Sequence, residues 1–119
     1  MITASVVQRL QIGQITNVVP YGTAQLPAPP YVVVKTERDA VGRGRLLRVI
    51  VHFAADQRKW LEAYVFDELS DLLSDWHGET DDGVHFRVGV TQEWTDVTSG
   101  NDDGTISMER VFLLPGLLF

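Results

Sequence analysis

The fold is decided by the stretch Arg45-Leu-Leu-Arg-Val-Ile-Val-His-Phe53, in which two kinds of side chain alternate. Successive side chains of a β-strand point to opposite faces of the sheet. One face of this strand is therefore entirely apolar and consists of Leu47, Val49, Val51 and Phe53. The other face is mixed and consists of Leu46, Arg48, Ile50 and His52. We expect a strand with one buried face and an outer face that is only partly covered.

A long amphipathic helix is predicted directly after this strand, from Asp56 to Gly78. Asp56 suits the N-cap, because its carboxylate accepts free amide hydrogens of the first turn, and Gly78 suits the left-handed position after the last turn. Apolar residues recur at steps of three or four in a single stripe made of Leu61, Val65, Leu69, Leu72 and Trp76, widened by Phe66 and Leu73. One stripe covers one face of one sheet.

The remaining elements are placed by their hydrophobic periodicity and by their turn residues. A short helix is expected near the N-terminus, ending before Gly13, and residues 14–30 hold four of the five prolines and form a connector with at most one short edge strand. Further strands are expected at 31–36, 84–90 and 105–114. The prediction is a single α+β domain over residues 1–119, with residues 115–119 as an apolar tail. It has a mostly antiparallel four-stranded sheet of two hairpins, one long helix on one face and the short N-terminal helix.

Composition excludes several classes of function. The net charge of −6 and the pI near 4.8 argue against a nucleic-acid backbone or an anionic membrane surface as the main partner. The chain has no cysteine, so a disulfide framework and a thiolate metal site are both excluded. We expect no signal peptide and no membrane-spanning segment, because no stretch approaches the roughly 20 apolar residues that span a bilayer.

Candidate catalytic and metal-binding residues do not form a recognisable constellation. His52 and His85 lie on the less apolar faces of two predicted strands and, with Glu109 or Glu93, could imitate a metal triad. Two half-exposed strand histidines are the favoured interpretation, and His77 is interpreted as a cation at the helix C-terminus. The pairs Asp81-Asp82 and Asp102-Asp103 precede glycines in turn sequences rather than calcium loops. We therefore expect no catalytic residue, no metal site and no cofactor, and a protein that is not an enzyme.

A few large apolar residues are candidates for contact with a neighbouring subunit. Trp60 lies beside Tyr64 at the edge of the helical stripe. The chain ends in an apolar tail interrupted by Pro115-Gly116, which either folds back on its own sheet or fills a groove on a neighbour. The candidate interface residues are Trp60, Tyr64, Leu117, Leu118 and Phe119.

The order of elements resembles a known family. A short helix precedes the proline-marked Leu26-Pro-Ala-Pro-Pro-Tyr-Val-Val-Val34, and a strand with Arg48-Val-Ile-Val-His-Phe53 leads into one long helix. The closing strand carries Ser107-Met-Glu-Arg-Val-Phe-Leu113. In this order and in these apolar motifs the chain resembles the tail-terminator or tail-completion (minor tail) proteins of long-tailed bacteriophages.

The resemblance implies a structural role in virion assembly. Such a subunit forms a homo-oligomeric ring, commonly a hexamer, that halts tail-tube polymerisation, caps the tube and joins it to the head connector. Its partners would be copies of itself, the tail tube and head-connector proteins, while DNA passes through the channel without specific binding. The expected location is the virion tail, after synthesis in the host cytoplasm, with no membrane partner.

Two alternatives remain open from the sequence. The first is another head-tail joining protein, an adaptor or a stopper, of similar size. The second is a small α+β ligand-binding or enzymatic domain that uses the sheet face opposite the helix, with His52, His85 and Arg48 as its polar lining.

Overall fold

The computed structural model describes residues 2–38, 45–57, 63–89, 91–97 and 105–115, and for residue 38 and residues 91–97 it describes the backbone alone. The strands in these residues are β1 Val18–Pro20, β2 Tyr31–Arg38, β3 Arg45–Ala54, β4 His77–Glu79, β5 His85–Arg87, β6 Thr91–Val97 and β7 Thr105–Leu114. The α-helices are α1 Ile2–Leu10 and α2 Leu69–Leu73. A 3-10 turn, Ala55–Gln57, follows β3, and a π-helical turn, Tyr64–Glu68, leads directly into α2.

The main sheet has five strands in the order β1-β2-β3-β7-β6. The α+β class is confirmed, as are the β2–β3 hairpin and a hairpin that ends in β7. The sheet is nevertheless mixed, because β1 pairs parallel to β2 with Val18 beside Val32. After Pro20 the connector returns to the start of β2, so the two strands run in the same direction. The short strand expected in the connector therefore adds a parallel edge to four antiparallel strands.

The strand predicted at 84–90 is wrong in length and in partner. Of its described residues, 84–89, three form a strand, β5, which pairs with β4 in a separate two-stranded sheet. The place beside β7 in the main sheet is taken by β6. Phe86 and Val88 are both buried, as the alternation indicated, but the amide of Val88 donates to the carbonyl of Trp76 at 2.8 Å. Up to Val88 this backbone is therefore bonded to the segment after α2, and it reaches the main sheet at Gly89, whose amide donates to the carbonyl of Leu113 at 2.8 Å.

The long helix predicted from Asp56 to Gly78 is also wrong in length. Its described helical residues are 63–73, and the helix ends because Ser74 is extended, with ψ of 123°. Asp75 then adopts the left-handed conformation with φ of 60°, which was expected of Gly78. Gly78 itself lies in β4. Asp56 lies in the 3-10 turn, and residues 58–62, which follow it, are outside the described part of the chain.

The set of helical residues that face the core also differs from the predicted stripe. Val65, Leu69 and Leu73 are fully buried, whereas Phe66, expected to widen the stripe, is 45% exposed. The π-helical turn accounts for this difference, because it holds more residues per turn than an α-helix and so changes the phase of the side chains. Trp76 lies beyond the helix and packs edge-to-face against Phe86, with ring centroids 5.5 Å apart.

The core lies between one face of the main sheet and the two helices. The apolar face predicted for β3 is confirmed, since its four side chains Leu47, Val49, Val51 and Phe53 are all fully buried. The short N-terminal helix is confirmed as α1, which buries Val6 and Leu10 in the same core. The opposite face of the sheet carries no helix among the described residues, and we call it the open face. No helix in the described part of the chain has the length and apolar character needed to cross a membrane.

Candidate functional site

The open face is crossed by a chain of ion pairs. Strand alternation and register place Lys35 of β2 beside Arg48 of β3, and Glu109 of β7 one row further along. The Arg48 guanidinium donates through Nε to Glu37 and through Nη1 to Glu109, and Lys35 Nζ lies 3.4 Å from the second carboxylate oxygen of Glu37. Hydrogen bonding to Arg48 holds the pKa of Glu37 below its ordinary value, and both carboxylates raise the pKa of Arg48. The charged side chains that β2, β3 and β7 place on this face are thus paired within the described part of the chain.

A second polar row lies near the start of β2. The rings of Tyr31 and His52 stack with centroids 4.7 Å apart and planes at 16°. His52 Nδ1 lies 2.8 Å from the hydroxyl of Ser107, which stands opposite it on β7. Val33 lies between the two rows and Val111 stands opposite Arg48, and both valines are buried. The open face is therefore a surface of mutually engaged side chains.

The metal triad considered for His52 and His85 is wrong, because the two histidines lie in different sheets. His85 belongs to β5, where its exposed ring lies 3.8 Å from the carboxylate of Glu79. Glu109 is engaged by Arg48. Over the described ranges, no group of three or more His, Cys, Asp or Glu side chains is placed to hold a metal ion. His77 begins β4, so its interpretation as a cation at the helix C-terminus is wrong as well.

The acidic pair Asp81-Asp82 lies in a turn, as predicted. The amide of Gly83, which has φ of 86°, donates to the carbonyl of Thr80 at 3.0 Å. The Thr80 hydroxyl donates to the Asp82 carboxylate and accepts from the amide of Val84. The hydrogen bond from the Thr80 hydroxyl holds the pKa of Asp82 below its ordinary value. The turn is satisfied by its own residues, as ordinary Asp-Gly turn chemistry requires.

A groove of about 470 Å³ lies on the helical side of the molecule. Five of its lining residues come from the helical segment and one from the loop after α1: Ala63, Tyr64, Asp67, Glu68 and Asp71, with Gln14. The amide of Gln14 donates to Glu68 Oε2 at 3.2 Å, and this hydrogen bond links the loop after α1 to the helical segment. Asp67 and Asp71 are exposed, so the groove is open and strongly acidic. We call it the acidic groove.

A buried arginine lies beneath this helical segment. Arg110 of β7 occupies a position on the covered face and is 7% exposed. Its Nη1 donates to the carbonyl of Val65 at 2.8 Å and to that of Phe66 at 3.2 Å, both in the π-helical turn. Burial lowers the pKa of its guanidinium. The sequence analysis missed this residue, although a lone arginine between apolar positions of a strand is a signal that could have identified it.

Most of the predicted interface residues lie outside the described part of the chain. These are Trp60, Leu117, Leu118 and Phe119, and their role stays a prediction. Tyr64 is 2% exposed and belongs to the core of its own chain, and burial raises the pKa of its phenol. Large apolar side chains that do face outward lie elsewhere, namely Ile12, Tyr21, Leu26, Phe66, Val84 and Leu113.

Comparison with known proteins identifies the fold. No family model and no curated protein matches the sequence. The structure is similar to a chain in the virion of a native gene transfer agent (GTA) particle, with a TM-score of 0.63 and 18% identity over 94% of this chain and 91% of that chain. A second solved chain has a TM-score of 0.61 and 18% identity over 95% and 92% of the two chains. At such identities the likeness shows a shared fold.

Proposed function

We propose that this chain is a structural subunit of a virion tail, of the tail-terminator type, and that copies of it form a ring. The observation that carries the proposal is the likeness to a chain in a gene transfer agent virion, which covers more than nine-tenths of both chains. The likeness therefore extends over nearly the whole unit. This likeness and the resemblance of the sequence to tail terminators both indicate a structural protein of a phage-like virion.

The open face supports a structural role over a catalytic one. Arg48, the strongest polar candidate on this face, is held by Glu37 and Glu109, so it would have to give up both partners to bind a substrate. A paired, half-buried network suits a surface that must keep its shape during assembly. We therefore propose a protein without catalytic residues or a cofactor.

The charge of the chain supports passage of DNA without specific binding. A net charge of −6 repels the phosphate backbone, so a ring of such subunits would offer its channel no adhesive surface. In the proposed role the ring caps the tail tube, halts its polymerisation and joins it to the head connector. The chain would be made in the host cytoplasm and reside in the virion tail.

The proposal is tested by inactivating the gene in the genome that carries it and imaging the resulting particles by electron microscopy. A terminator halts tube growth, so we expect overlong tail tubes that are not joined to heads. Supplying the intact gene in trans is the control and should restore tails of uniform length. Tails of normal length beside unjoined heads would contradict the terminator role and would indicate an adaptor or a stopper.

A further inference from the structure

Tyr64 has a buried hydroxyl without a hydrogen-bond partner in the described part of the chain. Its side chain is 2% exposed, and the hydroxyl oxygen is itself buried. Buried hydroxyls are nearly always hydrogen-bonded, because an unmade bond leaves the cost of removing the group from water uncompensated. A hydrogen-bonding partner from outside the chain would offset this cost.

Tyr64 lines the acidic groove. Burial raises the pKa of its phenol, and the negative charge of Glu68 raises this pKa further. Glu68 lines the same groove, so the hydroxyl lies within electrostatic range of a carboxylate of the groove. The phenol is neutral at pH 7, and its oxygen can accept a hydrogen bond from a ligand.

Two further carboxylates of the groove are without a cation. Asp67 and Asp71 are exposed, and neither forms an ion pair with any residue that the structure describes. They are four positions apart in the helical segment, so their side chains are neighbours on its surface. With Glu68 they give the described lining of the groove three carboxylates and no positive charge.

These groups are complementary to an arginine side chain. A guanidinium offers five N–H donors in a planar fork and stays charged at all ordinary pH values, so it can bind carboxylates and a phenol oxygen at the same time. The groove volume of about 470 Å³ lies within the range of roughly 300–1,000 Å³ that is typical of ligand sites. A metal ion is disfavoured, because no three His, Cys, Asp or Glu side chains among the described residues are placed to hold one.

We infer that the acidic groove binds an arginine side chain from a basic segment of a partner protein. The guanidinium donates to the carboxylates of Asp67 and Asp71 and to the phenol oxygen of Tyr64. Nucleic acid is disfavoured as the occupant, because its phosphates carry the same sign of charge as the groove. The inference rests on the groove and not on the proposed function, so either can fail without the other.

A second copy of this chain is disfavoured as the partner. Every arginine whose side chain the structure describes already interacts with its own chain, and these residues are Arg9, Arg45, Arg48, Arg87 and Arg110. Occupation of the groove by one of them would require that interaction to be broken. A different protein with an unpaired arginine would bind without this cost.

The inference is tested by isothermal titration calorimetry of the full chain with a peptide of three arginines that is blocked at both ends. A peptide of the same length with citrulline in place of arginine is the matched control, because citrulline keeps the shape and removes the charge. We expect the arginine peptide to bind with a dissociation constant at least about tenfold lower than that of the citrulline peptide. Raising the salt concentration from about 0.1 M to about 1 M should weaken its binding.

Two variants separate the groove from the overall charge of the chain. Asp67→Asn together with Asp71→Asn should raise the dissociation constant of the arginine peptide at least about tenfold. Asp56→Asn together with Asp81→Asn makes the same change of charge at two exposed positions outside the groove, and this variant should bind like the unaltered chain. Circular dichroism verifies that both variants are folded.

Tyr64→Phe distinguishes a binding hydroxyl from a structural one. The substitution removes only the unpartnered oxygen, so the urea midpoint of unfolding should stay the same or rise. The dissociation constant of the arginine peptide should rise about threefold or more, because the ligand loses one hydrogen bond. A hydroxyl with a purely structural role would give a lower midpoint and an unchanged affinity, and this result would overturn the inference.

Other results would overturn it as well. Equal affinity for the two peptides, or equal losses of affinity in the groove variant and the control variant, would show only a general attraction to an acidic chain. Self-association that the arginine peptide dissolves in analytical ultracentrifugation would make a second copy the occupant. The proposed function is judged separately, by the length of the tail tubes in particles that lack the gene.

Discussion

At the scale of single residues, Arg110 has the most unusual position in the described structure. A guanidinium is rarely buried without a carboxylate partner, because removal of its charge from water is costly. Here the compensation comes from backbone carbonyls of the π-helical turn and from the Phe112 ring, whose centroid lies 5.6 Å away. The wide turn and the buried cation therefore stabilise each other.

We predict that Arg110→Ala lowers the free energy of unfolding by about 2–4 kcal/mol, because it leaves a cavity and removes the donor of two carbonyls. The matched control is Arg48→Ala on the neighbouring strand β3. Its ion pairs are partly exposed, so its loss should cost about 1 kcal/mol or less. Urea denaturation of both variants measures the difference. Equal costs would show that Arg110 does not hold the turn.

At the scale of elements, the small β4–β5 sheet depends on close packing across its middle pair. Gly78 of β4 stands opposite Phe86 of β5. A Cβ at Gly78 would lie 2.4 Å from Phe86 Cζ and 2.8 Å from Trp76 Cη2. Phe86 and Trp76 therefore occupy the space that any side chain at position 78 would need. The glycine that suggested a helix end is required here for contact with an aromatic ring.

We predict that Gly78→Ala lowers the free energy of unfolding by about 1–3 kcal/mol through overpacking against Phe86. Phe86→Leu removes the ring atoms that clash, so the double variant should recover part of this loss relative to the sum of the two single variants. Thermal unfolding of the two single variants and the double variant measures the coupling. Strict additivity would argue against the close contact.

At the scale of the whole molecule, the proposed function depends on the surfaces through which one copy would contact another. The acidic groove is described by the structure, whereas residues 116–119 of the apolar tail are known only from their sequence. Packing of the tail in its own chain and packing on a neighbour both stay open as predictions. They differ in their consequence for the isolated subunit, because only the first makes the tail part of the subunit's own core.

We predict that deletion of Leu117, Leu118 and Phe119 abolishes assembly while the subunit stays folded. The reason is that an apolar chain end beyond a Pro-Gly break is suited to fill a neighbour's groove. Sedimentation reports assembly, and circular dichroism reports folding. Replacement of the same three residues by serine is the control, because it keeps the chain length and removes only the apolar surface. Outright unfolding would show that the tail belongs to its own core.

The sequence by itself determined the elements whose pattern is local. The alternation that ends in Phe53 predicted the buried face of β3, and helical spacing around Val6 predicted α1, because side-chain periodicity follows from the backbone geometry of a few neighbouring residues. The mixed outer face of β3 was also visible, and Arg48 lies on it. Its partner Glu109 was not assigned, because the two residues are separated by 61 positions.

Only the tertiary structure decided how distant segments meet. The parallel edge strand depends on the pairing of Val18 with Val32, and the π-helical turn depends on Arg110, which is 45 residues from Val65. The helix ends at Leu73 because the segment after it is satisfied by hydrogen bonds to β5 and its flanks. In each case the competing local conformations are close in free energy, and long-range packing and hydrogen bonding select one of them. The local residue pattern therefore does not show which of these conformations is selected.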